Sequence, residues 1–263
     1  MTPYFQQDGV TLYHGDNVQT MREAIPDASI DLVVTSPPYD NLRTYGGHTW
    51  DFEGLAAELW RAIKPGGVVV WIVNDATVDG SETGTSFRQA LHFKELGFRL
   101  HDTMIYLKEH LQFPDSVRYY NAFEYMFVFS RGQPSSVHLI ADRENASAGR
   151  IVNGHERRPD GRVVPRPCAG NACAEKGVRW NWWKITHAQR GVETAHPATF
   201  PESLARDHIL SWSNEGDTVL DPFSGSGTTL KMARLMGRKG IGIEIHQAYC
   251  DIAAERLRQR LLF

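Results

Sequence analysis

Two apolar runs stop abruptly at residues that neither a strand nor a helix can continue. Ile30-Asp31-Leu32-Val33-Val34 runs into Thr35-Ser36-Pro37-Pro38, and Thr218-Val219-Leu220-Asp221 runs into Pro222-Phe223-Ser224-Gly225-Ser226-Gly227. Short apolar runs of this kind read as strands buried on both faces of a parallel sheet. Two consecutive prolines remove two amide donors and fix two φ angles. The first run must therefore end in a rigid loop at a strand's carboxyl end. The glycines of the second let the chain turn sharply from strand to helix. Ligands of open α/β sheets bind outside such carboxyl ends.

The remaining pattern fits the same frame. Residues 10–14 read as a strand, 18–25 as a helix, 53–63 as a helix closed by Lys64-Pro65-Gly66-Gly67, and 68–73 as a strand. A helix near 85–96 precedes strands at 103–107 and 125–129. No long helix separates those two strands, so they are expected to pair antiparallel at one sheet edge. A helix starting near Pro201 suits proline in a first turn. Further helices are expected from about Thr228 and over 247–260, flanking a strand at 240–244. This alternation predicts an α/β chain: a Rossmann-like, doubly wound, mostly parallel sheet with an antiparallel edge hairpin. From 131 to 190 the periodicity fades and Gly, Pro, Arg and Asn dominate, which predicts an irregular insert. Residues 1–130 and 191–263 then form one domain, interrupted by the insert at 131–190.

Net charge is only −3, but it is unevenly spread. Residues 131–190 hold 11 Arg and Lys against 5 Asp and Glu, a local +6 that leaves −9 for the rest. A basic insert on an acidic body points to a polyanion met by one face. Cys168, Cys173 and Cys250 give no disulfide framework and suit a reducing cytoplasm, the expected location. Cys168 and Cys173 lack a second closely spaced ligand pair, so no metal site is expected. Residues 1–9 have neither the basic start nor the apolar run of a signal peptide. No stretch reaches the roughly 20 apolar residues that span a bilayer.

The turn from Asp221 to Thr229 opens a helix, whose free amides form a seat for an anionic group. Glu244 ends the next strand, 19 residues beyond Gly225, where Rossmann-like sheets place an acid on ribose hydroxyls. The spacing is not that of a dinucleotide fingerprint, and no Gly-Lys-Ser/Thr marks a nucleoside triphosphatase loop.

Ser36-Pro37-Pro38-Tyr39 suits chemistry on the exocyclic amino group of a nucleobase. That nitrogen is a poor nucleophile because its lone pair is delocalised into the ring. Acceptors for its two hydrogens, the Ser36 hydroxyl and the Pro37 carbonyl, would draw it toward tetrahedral geometry. Pro37 and Pro38 hold that carbonyl rigid. Tyr39 is placed to stack on a base extruded from the duplex. None of the three cysteines sits beside a proline in a catalytic loop, which disfavours attack at cytosine C5. Residues 40–50 read either as a lid over the base or as a plain surface loop.

Together, and in this order, the two motifs resemble the amino-methylating DNA methyltransferases of the β class, whose catalytic motif precedes the cofactor loop. The resemblance covers nearly the whole chain except 131–190. It implies S-adenosylmethionine as cofactor, held by Asp221, Pro222, Phe223, Gly225, Gly227, Thr228, Thr229 and Glu244. It adds Asp16 and Asn17 beside the cofactor adenine, and His196-Pro197 closing over the methionine end. Phe200 stands where the family commonly has lysine. It also implies double-stranded DNA as substrate, a homodimer, and a target-recognition role for 131–190, with any restriction nuclease on a separate chain. Arg150, Arg157, Arg158, Arg162, Arg166, Arg179 and Lys184 are the expected DNA contacts there, joined by Arg43 after the clamp. Arginine bridges phosphates or pairs with guanine edges. Trp180, Trp182 and Trp183 are expected in a core beneath the insert rather than on DNA.

The target base is finely balanced. In the family, Asp at the Ser36 position goes with adenine N6 and Ser often with cytosine N4. Residues 34–43 and Val73-Asn74-Asp75-Ala76-Thr77 resemble phage- and prophage-type solitary enzymes, some acting on adenine despite the serine. Adenine N6 is placed slightly ahead, cytosine N4 second. A protein-glutamine or RNA methyltransferase would usually carry Asn before Pro-Pro-Tyr and put the cofactor loop first. A silent DNA-binding relic would not be expected to keep Ser36, Tyr39, Asp221 and Glu244.

Overall fold

The computed structural model describes residues 1–39, 50–108, 116–185 and 201–259. The chain divides into two compact units, Met1–His138 with Asn181–Phe263, and Leu139–Trp180.

The larger unit begins with β1 (Phe5–Gln7), β2 (Val10–His14), α1 (Asn17–Ala24) and β3 (Ile30–Thr35). It continues through α2 (Phe52–Ala62), β4 (Ile63–Val73), a small hairpin of β5 (Thr77–Val78) and β6 (Ser81–Glu82), and α3 (Thr85–Glu95). Then come β7 (Arg99–Leu107) and β8 (Phe123–Ser130). The smaller unit carries β9 (Arg143–Glu144), β10 (His155–Arg157), β11 (Val163–Pro165) and β12 (Lys176–Gly177). The larger unit resumes with β13 (Trp182–Lys184), α4 (Glu202–Trp212), β14 (Thr218–Asp221), α5 (Thr228–Leu235), β15 (Lys239–Glu244) and α6 (Gln247–Arg258).

One nine-stranded sheet runs in the order β1-β2-β15-β14-β3-β4-β8-β7-β13. Its centre, from β2 to β4, is parallel, and β4, β8 and β7 pair antiparallel. Side chains alternate across a strand, so each face builds its own core. Val69, Trp71 and Val73 of β4 join Leu55 and Leu59 of α2 and Phe93 of α3. Val68, Val70 and Ile72 join Leu204 and Ile209 of α4 and Met232 of α5 on the other face. Helices therefore cover both faces of the sheet, as the strand–helix alternation predicts.

The sheet corrects two expectations. The β7–β8 hairpin is not an edge: β13 adds outside it, parallel to β7, with Trp183 opposite Tyr106. An uncovered β7 would leave a row of backbone groups unpaired, and the Ile105 amide instead donates to the Asn181 carbonyl at 2.8 Å. Trp182–Lys184 thus belong to the main sheet rather than to an irregular insert. The separate unit is narrower, Leu139–Trp180, and it is not wholly irregular. There β9 pairs with β12 and β10 with β11, both antiparallel. Of the three tryptophans only Trp183 is buried, stacked on His208 at 4.5 Å between ring centres. Trp180 and Trp182 are about half exposed, at 54% and 47%.

Candidate active site

Parallel pairing of β14 with β3 sets Val219 opposite Leu32 and Leu220 opposite Val33. The two motif loops therefore leave adjacent strands at the same end of the sheet. A hydrogen bond crosses between them: Thr35 Oγ1 donates to Asp221 Oδ1 at 2.7 Å, joining residues 186 positions apart. Asp221 is 1% exposed. Burial pushes its carboxyl up to about 6, against the opposing pull of the Thr35 hydroxyl and the Phe223 amide.

The turn after β14 depends on left-handed glycines, Gly225 at φ +50° and Gly227 at φ +78°. Gly227 caps α5 without a side-chain hydrogen bond, so the helix meets the loop with amides that no cap claims. A Cβ on Gly227 would also sit 3.1 Å from the Ala253 Cβ on α6. Thr228 and Thr229 are buried, and Thr229 Oγ1 donates to the Val34 carbonyl at 3.2 Å, tying α5 to β3. Phe223 packs edge-on against Trp50 at 5.0 Å.

Glu244 ends β15 beside this turn. Its Oε2 accepts from the Gly225 amide and its Oε1 from the His246 amide, both at 2.8 Å. Burial raises its carboxyl above the ordinary range. The Gly15 amide donates to the Glu244 carbonyl at 3.0 Å, which brings Gly15-Asp16 to the same edge. Asp16 caps α1 by accepting from the Gln19 amide at 2.9 Å. Asn17 Oδ1 and Ser224 Oγ are buried with no hydrogen-bond partner among the described residues. Buried polar atoms left without partners are costly unless something fills the role. Uncapped amides at the start of α5 with two buried acids beside them fit a ligand carrying a carboxylate and hydroxyls.

The clamp follows β3. Pro37 is buried, while Ser36, Pro38 and Tyr39 are half-buried. Ser36 Oγ lies 2.9 Å from Tyr39 Oη, and Tyr39 Oη donates to Glu124 Oε2 at 2.8 Å. Glu124 Oε1 pairs with Lys108 Nζ at 2.6 Å. The Tyr39 ring packs against the core that holds Trp71. Glu124 and Lys108 join Ser36 and Tyr39 through these contacts, and neither was among the sequence-predicted site residues. Their one sequence signal is a lone acid beside the apolar run Tyr125-Met126-Phe127-Val128-Phe129. Arg43, His196, Pro197, Phe200 and all of 40–50 except Trp50 lie outside the described residues.

In the smaller unit, Arg150, Arg157, Arg158 and Arg166 are exposed. Arg179 instead grips Asp142 with Nε and Nη2, at 2.8 and 2.6 Å. This holds the Asp142 carboxyl below its ordinary range. Arg162 likewise pairs with Asp160 at 2.6 Å. Arg143 lies over the Trp180 ring at 4.2 Å. Lys184 belongs to β13 in the larger unit.

The fold and paired loops define a methyltransferase-like α/β protein with a ligand cradle beside a proline clamp. The sequence profile of the N6/N4 methyltransferase family, described as DNA methylase, matches residues 30–255, and the chain belongs to that family. The orphan methyltransferase M.BamHII of Bacillus amyloliquefaciens is 56% identical over 92% of this chain and 94% of its own length. Among solved structures, the cytosine-N4-specific PvuII DNA methyltransferase superposes with a TM-score of 0.72 at 22% identity, over 99% of this chain and 90% of that one. A complex of M1.HpyAVI with S-adenosylmethionine gives 0.60 at 20% identity, over 94% and 99%. Among the described residues no helix is long and apolar enough to cross a membrane.

Proposed function

We propose that this chain methylates the exocyclic amino group of a base in a specific double-stranded DNA site, with S-adenosylmethionine as donor. The observation that carries the reading is the Thr35–Asp221 bond, which locks the clamp loop beside the cradle loop. S-adenosylmethionine supplies an activated methyl group on a sulfonium centre. The Asp221–Thr229 turn, Glu244, Asp16 and Asn17 would hold it. The resemblance adds His196 and Pro197. Ser36 Oγ and the Pro37 carbonyl accept the two amino hydrogens, and positioning supplies much of the rate. Arg150, Arg157, Arg158 and Arg166 face the phosphates. Arg162 and Arg179 are held by acids and serve the insert's own structure first.

Between the two bases, cytosine N4 gains from Ser36, which in the resembling family often accompanies that target. Adenine N6, ahead on sequence resemblance, is the second reading. A solitary enzyme, homodimeric and cytoplasmic, is part of the same proposal. The test is mass spectrometry of nucleosides from unmethylated DNA incubated with the protein and S-adenosylmethionine. N4-methylcytosine supports the first reading and N6-methyladenine the second. No modified base on DNAs of diverse sequence overturns DNA methylation as the function.

A further inference from the structure

The clamp serine ends a chain of hydrogen bonds whose direction is fixed by donor counting. Glu124, ion-paired with Lys108, has no proton to give and can only accept. Tyr39 has one hydroxyl hydrogen and gives it to Glu124. The contact between Ser36 and Tyr39 therefore needs Ser36 as donor. With its hydrogen committed, Ser36 Oγ offers only lone pairs to whatever approaches the clamp.

We propose that Glu124 is the positioning residue and terminal proton acceptor of a relay, Ser36–Tyr39–Glu124, that serves the target amino group. The proposal rests on the amino-methylation reading above. Before transfer, the relay presents Ser36 as an acceptor to an amino hydrogen. In transfer, the nitrogen lone pair forms the N–CH3 bond while the S–CH3 bond breaks and leaves its electrons on sulfur. The nitrogen then carries one proton too many and a positive charge. That proton passes to Ser36 Oγ, the Ser36 hydrogen to Tyr39 Oη, and the Tyr39 hydrogen to Glu124 Oε2. Each oxygen gains one hydrogen and loses one, except Glu124, which ends neutral. Among the described residues, Glu124 meets Lys108 beyond β7 and Tyr39, and Tyr106 stands opposite it in the β7–β8 register. Nothing in the Ser-Pro-Pro-Tyr motif by itself points to Glu124, which lies 85 residues from Tyr39.

The experiment compares wild type, Glu124→Gln, Tyr39→Phe and the double variant in single-turnover methylation across pH. Binding of S-adenosylmethionine and thermal melting are measured alongside. Tyr39→Phe keeps the ring for stacking and removes only the relay hydroxyl. Each single variant is expected to slow turnover by about 10²-fold, in the range of a lost general base. Cofactor affinity stays unchanged, and the rate of both variants is expected to vary less with pH than that of wild type. The double variant is no slower than the worse single, because both break one path. Folded variants within twofold of wild type, a pH dependence equal to that of wild type, or losses that multiply would each overturn the relay. If Glu124→Gln fails to fold, the rate and pH profile of Tyr39→Phe decide alone. Wild type inactive on DNA would overturn the methylation reading instead; wild type active beside unimpaired variants overturns only the relay.

Discussion

Asp221 is as buried as the leucine before it, and that burial has a sign. Its folded-state carboxyl lies near 6, above the ordinary 3.8. The protonated form therefore favours the fold; its stabilisation is full below pH 3.8 and is lost as pH rises through about 6. Two pKa units correspond to about 3 kcal/mol. Asp221→Asn keeps an oxygen for Thr35 but no charge. It is expected to be more stable than wild type at pH 7.5 by up to about 3 kcal/mol, with the gap closing toward pH 4, as urea midpoints at both pH values will measure. The native acid is thus a stability cost retained at the cradle. At Ser36, the proposed acceptor for the amino group, replacement by alanine should slow methylation on the order of 10²-fold. Cofactor affinity, followed by calorimetry, should not move. The strand-end loops that carry Ser36 and follow Asp221 were legible in the sequence, because a Pro-Pro or Gly-rich stop after an apolar run is a local signal. Glu124 was not, because its role depends on a tyrosine 85 positions away.

The helices and strands were read closely where a local pattern dictates them. Residues 30–34, 218–221 and 240–244 fall within β3, β14 and β15, since β-branched runs bounded by turns leave little choice. Caps were less visible. The N-cap of α3 is Gly84 at φ +66°, without a side-chain bond of its own. Asp75, nine residues earlier, does the capping: it accepts from the Ser86 amide at 2.8 Å and the Ser86 hydroxyl at 2.6 Å. Asp75→Ala should destabilise by about 1–2 kcal/mol, the usual loss of a helix cap, and a thermal melt will register it. The strand β13 was missed because three residues, Trp182–Lys184, carry too little pattern to declare a strand. What makes it one is the open side of β7 and the pocket where Trp183 stacks on His208. Trp183→Ala should cost about 3–5 kcal/mol or release β13. Hydrogen exchange at the Ile105 amide, which donates to Asn181, distinguishes the second outcome by losing protection.

For the whole molecule, the uneven charge is the property that reaches furthest. Arg157 and Arg158 are exposed on the Leu139–Trp180 unit, whereas Arg179 is held by Asp142. Replacing Arg157 and Arg158 with alanine should weaken DNA binding and lower the salt slope by roughly 0.9 per lost phosphate contact, about 2 for the pair. Fluorescence titrations at several salt concentrations will show it. Sequence alone determined the layered α/β frame, the two loops at strand ends and the basic stretch, because periodicity, turn residues and charge are all local properties. Only the tertiary structure decided that β3 and β14 are neighbours, that Thr35 meets Asp221, that Glu124 stands behind Tyr39, and which arginines acids already hold. Those facts arise from strand order and from contacts between residues far apart in the chain. No local window of sequence contains both partners.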